Sequence, residues 1–244
     1  MPVRLSGHPD IVKDPAKALK SCFLAINKAL RSLPNNAAIY SGSTAVVALV
    51  RDGKMWVANA GDSRAILVVE GGAEGQAVKG THPPMRVVPL TTDHDPDLPT
   101  EKARIVASGG FVSAPAEPGL SARVWLDPEH TQIGLAMARS LGDLAVKTVG
   151  VIAEPEVLEH TIQPTDRFMV MASDGVWEFL TSTDVAAFAH EHLAKGGNAA
   201  AKSACEALIA RAANMWRAHE GQYRDDITAQ ILMLPCFGTS SSSA

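Results

Sequence analysis

The feature that most narrows the fold is the run Thr44-Ala45-Val46-Val47-Ala48-Leu49-Val50, followed by Asp52-Gly53 and then Met55-Trp56-Val57-Ala58-Asn59-Ala60. A continuous apolar run rich in β-branched side chains carries no helical stripe and reads as a strand buried on both faces. Asp-Gly supplies the positive-φ residues of a tight hairpin turn, so the chain returns at once. A third run, Ala65 to Val69, follows Gly61-Asp62-Ser63-Arg64 and closes at Gly71-Gly72. Three such runs in succession predict an antiparallel meander.

Elsewhere the period changes. Leu19, Cys22, Phe23, Ile26 and Leu30 recur at helical steps, with Asp14 as N-cap, Pro15 at the first helical position and Pro34-Asn35-Asn36 as the stop. Residues 1–13 carry little pattern, and residues 70–84 and 113–122 read as loops. Val87-Val88-Pro89-Leu90 reads as a short strand, demoted towards an edge by its proline. Asp97 is placed to cap a helix with Pro99 in its first turn, ending at Gly109-Gly110. Val157 to Ile162 and Phe168 to Ala172 are strand candidates separated by the turn residues Gln163-Pro164-Thr165-Asp166.

Ser182 then caps a helix with Val185, Phe188, Ala189 and Leu193 inward. A second helix over 198–218 turns Cys205, Leu208, Ile209, Ala212 and Met215 to one side, and Ile227 to Leu234 forms a last strand. Strands in sequence with helices grouped between them predict an α+β fold rather than a doubly wound parallel sheet. No repeat or linker divides the chain, so one domain is expected over 15–237, after a remnant at 1–14 and before a serine-rich, disordered tail at 238–244.

Composition removes several classes. The net charge is −4, from 22 basic and 26 acidic residues, with no basic run or stripe, so no nucleic-acid partner is expected. The three cysteines, Cys22, Cys205 and Cys236, are odd in number and lack CxxC spacing, which argues against disulfides and thiolate zinc sites. Met1-Pro2-Val3-Arg4 opens no apolar signal region, and no apolar stretch reaches about 18 residues. An intracellular, cytoplasmic protein with no membrane association is the expectation.

Three acidic positions carry the chemistry. Asp174 follows the strand Phe168-Met169-Val170-Met171-Ala172 and precedes Gly175, so its carboxylate is expected at a strand end with little crowding. Asp225-Asp226 directly precedes the last strand, and adjacent carboxylates repel unless a cation or donors offset them. If those strands are neighbours, hard oxygen ligands gather in a way that suits Mg²⁺ or Mn²⁺. Asp93, in Asp93-His94-Asp95-Pro96, is a third such position. For each aspartate alone, a turn or N-cap role competes with ligation. His94 has no second histidine at ligand spacing, so a zinc site is not expected.

Eight segments in order then resemble one family. They are Ser41-Gly42-Ser43-Thr44-Ala45, Ala58-Asn59-Ala60-Gly61-Asp62-Ser63-Arg64, Thr92-Asp93-His94, and Glu101-Lys102-Ala103-Arg104-Ile105 with Gly109-Gly110. The series continues with Gly134-Leu135-Ala136-Met137-Ala138-Arg139-Ser140-Leu141-Gly142-Asp143, Ala153-Glu154-Pro155-Glu156-Val157, Ala172-Ser173-Asp174-Gly175-Val176-Trp177-Glu178, and Asp225-Asp226-Ile227-Thr228. Together they resemble the metal-dependent serine/threonine protein phosphatases of type 2C (PPM).

The resemblance implies two stacked antiparallel β-sheets flanked by helix pairs. It also implies phosphorylated protein substrates and hydrolysis by a water activated between Mg²⁺ or Mn²⁺ ions. In that mapping Asp174 and Asp225 bind the first metal and Asp93 a third, weaker one. Gly61-Asp62-Ser63-Arg64 and Asp143 are structural. No catalytic residue is assigned.

The family's Asp-Gly-His-Gly-Gly motif does not occur in this sequence, and Ser6-Gly7-His8-Pro9 has the Gly-His pair without the aspartate. The family's first strands are also expected to be missing, which would leave an unpaired sheet edge open to a partner strand. A catalytically inactive pseudophosphatase, acting as a binding module, is therefore the alternative expectation.

Overall fold

The computed structural model describes residues 1–115, 121–195 and 199–234. The expected disordered tail and Cys236 lie outside the described residues. In chain order the first elements are α1 (Pro2–Ser6), α2 (Pro15–Leu30), β1 (Gly42–Ser43), β2 (Ala45–Arg51), β3 (Lys54–Ala60) and β4 (Arg64–Glu70). β5 (Gln76–Val78), β6 (Met85–Pro89), α3 (Pro99–Ala107), β7 (Phe111–Ser113), β8 (Arg123–Trp125) and β9 (Leu141–Gly142) follow. After them come β10 (Glu156–Thr161), β11 (Asp166–Ala172), α4 (Asp174–Trp177), α5 (Ser182–Ala194), α6 (Ala200–Glu220) and β12 (Ala229–Met233).

The chain divides into two compact units. The first comprises Met1–Leu49, Trp56–Ser63 and Thr92–Glu159. Asp14 caps α2 by accepting from the Lys17 N–H, with Pro15 leading the helix, as the sequence predicts. Buried Leu19, Cys22 and Phe23 of α2 pack with Trp56, Ala58 and Ala60 of β3. Leu5 joins the same cluster from α1, a short helix in a stretch expected to be featureless. Its one apolar anchor is too little for a periodic signal.

β2 and β3 form the expected hairpin, with φ of 49° at Asp52 and 72° at Gly53. Their sheet has the order β10-β3-β2. Among the described residues β2 is thus an edge, and all its residues are half-buried rather than covered on both faces. The apolar run reports a strand, but an edge has one neighbour. A Schellman motif ends α3, with Gly109 at φ 83° and the Gly110 N–H donating to Ile105 O at 3.0 Å. The helix starts at Pro99 behind Leu98, one residue past the expected Asp97 cap, and no side chain caps it.

The second unit comprises Val50–Met55, Arg64–Thr91 and 160–244. Its sheet is antiparallel, in the order β12-β11-β4-β6-β5. The expected meander is therefore broken: β4 leaves the β2–β3 hairpin and pairs with β11 and β6. The loop expected over residues 70–84 contains β5, which makes β6 an interior strand. Pro89 is tolerated because β5 pairs only with Met85, Arg86 and Val87, so no neighbour needs an N–H at Pro89 from that side.

Alternate residues Ile66, Val68, Phe168, Val170 and Ala172 meet Val185, Ala186 and Ala189 of α5 and Leu208 and Ala212 of α6. Thr181, one residue before the expected Ser182, caps α5 in a capping box with Asp184. The buried stripe of α6 is Ala204, Leu208, Ala212 and Trp216, a strict four-residue repeat. It is rotated from the expected face because two alanines let the helix approach closely. Cys22 and Cys205 are free, and burial pushes both thiols up. Among the described residues no helix is long and apolar enough to cross a membrane.

Candidate functional site

β11 and β12 are neighbours, with Ala172 opposite Ala229. That pairing brings the residues just past the end of β11 beside those just before β12. Ser173 fastens the two segments. Its Oγ donates to Asp226 O at 3.0 Å and accepts from the Thr228 N–H at 3.1 Å, while its own N–H donates to Thr228 O at 3.1 Å. Asp174 and Asp225 therefore share one end of the sheet, the condition on which the sequence-based metal site depended.

Local bonds orient both carboxylates. The Gly175 N–H donates to Asp174 Oδ1 at 2.9 Å, and the Asp226 N–H donates to Asp225 Oδ1 at 2.6 Å. Trp216 donates from Nε1 to Gly175 O at 2.7 Å, and Trp177 does so to Ala172 O at 2.8 Å, so two buried indoles brace the turn. Gly175 has no room for a side chain, since a Cβ there would lie 2.4 Å from Asp226 O. Gly175→Ala is expected to push the two segments apart, lower stability by about 1–3 kcal/mol, and weaken Mn²⁺ binding. Thermal melts and Mn²⁺ titration check this, and an unchanged melting temperature would refute the close approach.

Glu178 reports the local electrostatics. Burial, and then the charges of Asp174, Glu220 and Asp225, push its carboxyl above the usual range. Like charges gathered this way favour a hard cation, and two oriented carboxylates are suitable oxygen donors. Among the described residues no group of three or more His, Cys, Asp or Glu side chains could hold a metal ion alone. A cation at the Asp174–Asp225 pair would complete its shell with other oxygens, as Mg²⁺ does with water and phosphate. Glu178 closes the segment Ala172-Ser173-Asp174-Gly175-Val176-Trp177-Glu178, whose sequence points to no role for it. Glu220, at the end of α6, had no sequence signal at all.

Asp93 belongs to the first unit, and the structure does not bring it together with the other two within one unit. Its neighbour His94 is a buried packing residue. The Gly61 N–H lies 3.1 Å from His94 Nδ1, and the His94 N–H donates to Gly61 O at 3.1 Å. Burial and then Arg139 lower its pKa. Gly61 has φ 117°, and a Cβ there would meet Thr44 Cγ2 at 2.3 Å. In the second unit Arg64 stacks over Trp177 at 5.2 Å and donates to Ser182 Oγ at 3.2 Å.

Asp143 is likewise a packing residue. Its carboxylate fills the space beside Gly42, where a Cβ would lie 2.0 Å from Oδ2. Nearby, Lys147 donates to Ser140 O and Oγ at 2.9 and 2.8 Å, and burial lowers its pKa to about 8.

The first unit also holds a buried charge cluster. Glu101 Oε2 accepts from Arg104 Nη2 at 2.7 Å and Arg139 Nε at 3.0 Å, and Oε1 accepts from Arg139 Nη2 at 2.6 Å. Burial alone would raise the Glu101 pKa, but Arg139 and then Arg104 outweigh it and hold it at about 2.

Comparison with known proteins gives one family. The family model "Protein phosphatase 2C" matches residues 5–220. "Probable protein phosphatase 2C 12" of Oryza sativa subsp. japonica is 38% identical over 231 residues, covering 94% of this chain and 55% of that protein. "Probable protein phosphatase 2C 72" of Arabidopsis thaliana is 38% identical over 228 residues, covering 91% of this chain and 63% of that protein. The chain thus spans little more than half the length of these relatives. A serine-threonine phosphatase 2C from Toxoplasma gondii has a similar solved fold, with a TM-score of 0.77 at 22% identity over 95% of this chain and 77% of that one.

Proposed function

Because the chain belongs to the protein phosphatase 2C family, we propose that it hydrolyses phosphoserine and phosphothreonine in proteins, using Mg²⁺ or Mn²⁺ held by Asp174 and Asp225. Asp93 is proposed as a further ligand. The observation that carries this reading is the β11–β12 pairing, which sets two oriented carboxylates at one sheet end beside Glu178, whose carboxyl burial and then the nearby charges push up.

When bound, the cation supplies a water of lowered pKa and positive charge for the phosphoryl oxygens. The protein supplies the rest. Asp174 and Asp225 present hard oxygen donors, fixed by the N–H groups of Gly175 and Asp226. Ser173 holds the two backbone segments that carry them in register. The second reading, a phosphoprotein-binding module without turnover, expects peptide binding with no phosphate release.

The test is phosphate release from a phosphothreonine peptide, in Mn²⁺ and in EDTA. Release that needs the metal is the expected result. A folded protein that binds the peptide yet releases no phosphate would overturn hydrolysis in favour of the binding module.

A further inference from the structure

The second unit contains a cavity of about 550 Å³ that none of Asp93, Asp174, Glu178 and Asp225 lines. Four basic side chains converge on it from three elements. Lys79 and His82 come from the segment between β5 and β6, His190 from α5 and Arg211 from α6. We propose that this cavity binds a phosphate monoester, at a site separate from the Asp174–Asp225 end.

The backbone turn and the guanidinium are restrained. Thr81, buried beneath the β5–β6 segment, donates from Oγ1 to Val78 O at 3.0 Å and accepts from the Met85 N–H at 3.0 Å. That clasp fixes the turn carrying Lys79 and His82. Arg211 lies over the Phe188 ring at 5.1 Å, and the same ring contacts His192 at 4.2 Å. A guanidinium stacked on an aromatic keeps its in-plane N–H donors available for an acceptor.

Two carboxylates, Glu191 and Asp184, also line the cavity, and each has a partner outside the basic set. Glu191 pairs with Lys195 at 3.8 Å, and Asp184 accepts from the Thr181 N–H and hydroxyl in the capping box. Among the described residues Lys79 and Arg211 have no carboxylate partner. Two permanent cations and two imidazoles thus line one space with Glu191, which is paired with Lys195, and Asp184, which is held in the capping box. A phosphate monoester brings close to two negative charges and three acceptor oxygens. The volume falls within the roughly 300–1,000 Å³ of small-ligand sites. The ester could belong to a phosphorylated protein side chain or to a small phosphate, and the recognition chemistry is shared.

The test is calorimetric titration in EDTA, which keeps the reaction of the metal site out of the measurement. The ligands are a phosphothreonine peptide, the same peptide with glutamate at that position, and inorganic phosphate. The proteins are the wild type, Lys79→Gln/Arg211→Gln, Lys79→Gln alone, and Asp174→Asn. The expected result is phosphopeptide binding at least tenfold weaker in the double variant, intermediate in the single one, and unchanged in Asp174→Asn. Inorganic phosphate binding as tightly, with the same loss, would mark the source as a small phosphate, whereas much tighter peptide binding would mark it as a phosphoprotein. No binding, equal affinity for the glutamate peptide, or equal affinity in the wild type and double variant would each overturn the proposal. Because Asp174→Asn is expected to bind normally, failure of hydrolysis and failure of this site are told apart.

Discussion

Glu101→Gln is expected to lower stability at pH 7 by about 3–5 kcal/mol, since it removes the central anion of a buried pair and leaves its cations uncompensated. Glu101 is 1% exposed, and the Arg139 side chain is 11% exposed. Arg139 would keep Glu154 O and Glu156 Oε1, at 3.1 and 3.2 Å, which are partners at the exposed rim. The pKa gives a second route to the magnitude. A carboxyl moved from 4.5 to about 2 corresponds to roughly 3 kcal/mol at about 1.4 kcal/mol per unit.

The pH dependence follows in sign. Because the folded pKa is depressed, the contribution is fully present above pH 4.5 and is lost as pH falls towards about 2. Wild type and variant should differ by roughly 10 °C in melting temperature at pH 7 and converge over that acid range. Parallel curves down to pH 2 would refute the ion-pair account.

Asp174→Asn is expected to affect function most. It keeps the shape of the side chain and its acceptor for the Gly175 N–H, but removes one of the negative charges at the sheet end. Mn²⁺ affinity should fall by more than the roughly 10–100-fold typical of losing an outer-shell partner, and metal-dependent phosphate release should fall with it. The metal-free protein should move the other way. Asp174 is one of the charges that push Glu178 up, so relieving that repulsion should leave stability unchanged or raise it by about 0.2–1 kcal/mol. Paired Mn²⁺ titrations and melts in EDTA check both signs. Unaltered Mn²⁺ affinity would remove Asp174 from the metal site.

Those opposite signs separate a ligand from a turn residue. A mere N-cap aspartate loses stability when it is replaced, whereas a carboxylate kept for a cation loses affinity and relieves strain. The Glu101 cluster behaves as the converse case: its cations are built in, so its removal costs stability whether or not a metal is present.

What the sequence determined by itself was local. The Asp14–Pro15 start, the Asp52-Gly53 turn and the Gly109 stop rest on backbone preferences of a few adjacent residues, and each appears where those preferences place it. The ordered segments also pointed to the family whose model matches residues 5–220. Partner choice was not local. Alternating apolar residues say that a segment is a strand but not which strand lies beside it. Thus β4 left the expected meander, β5 emerged from an expected loop, and β6 became interior despite Pro89. The same limit governed chemistry: Asp174 and Asp225 were visible as residues, but only the β11–β12 pairing made them a site. The cavity of Lys79, His82, His190 and Arg211 left no trace in the sequence, since it joins three elements that meet only through tertiary packing.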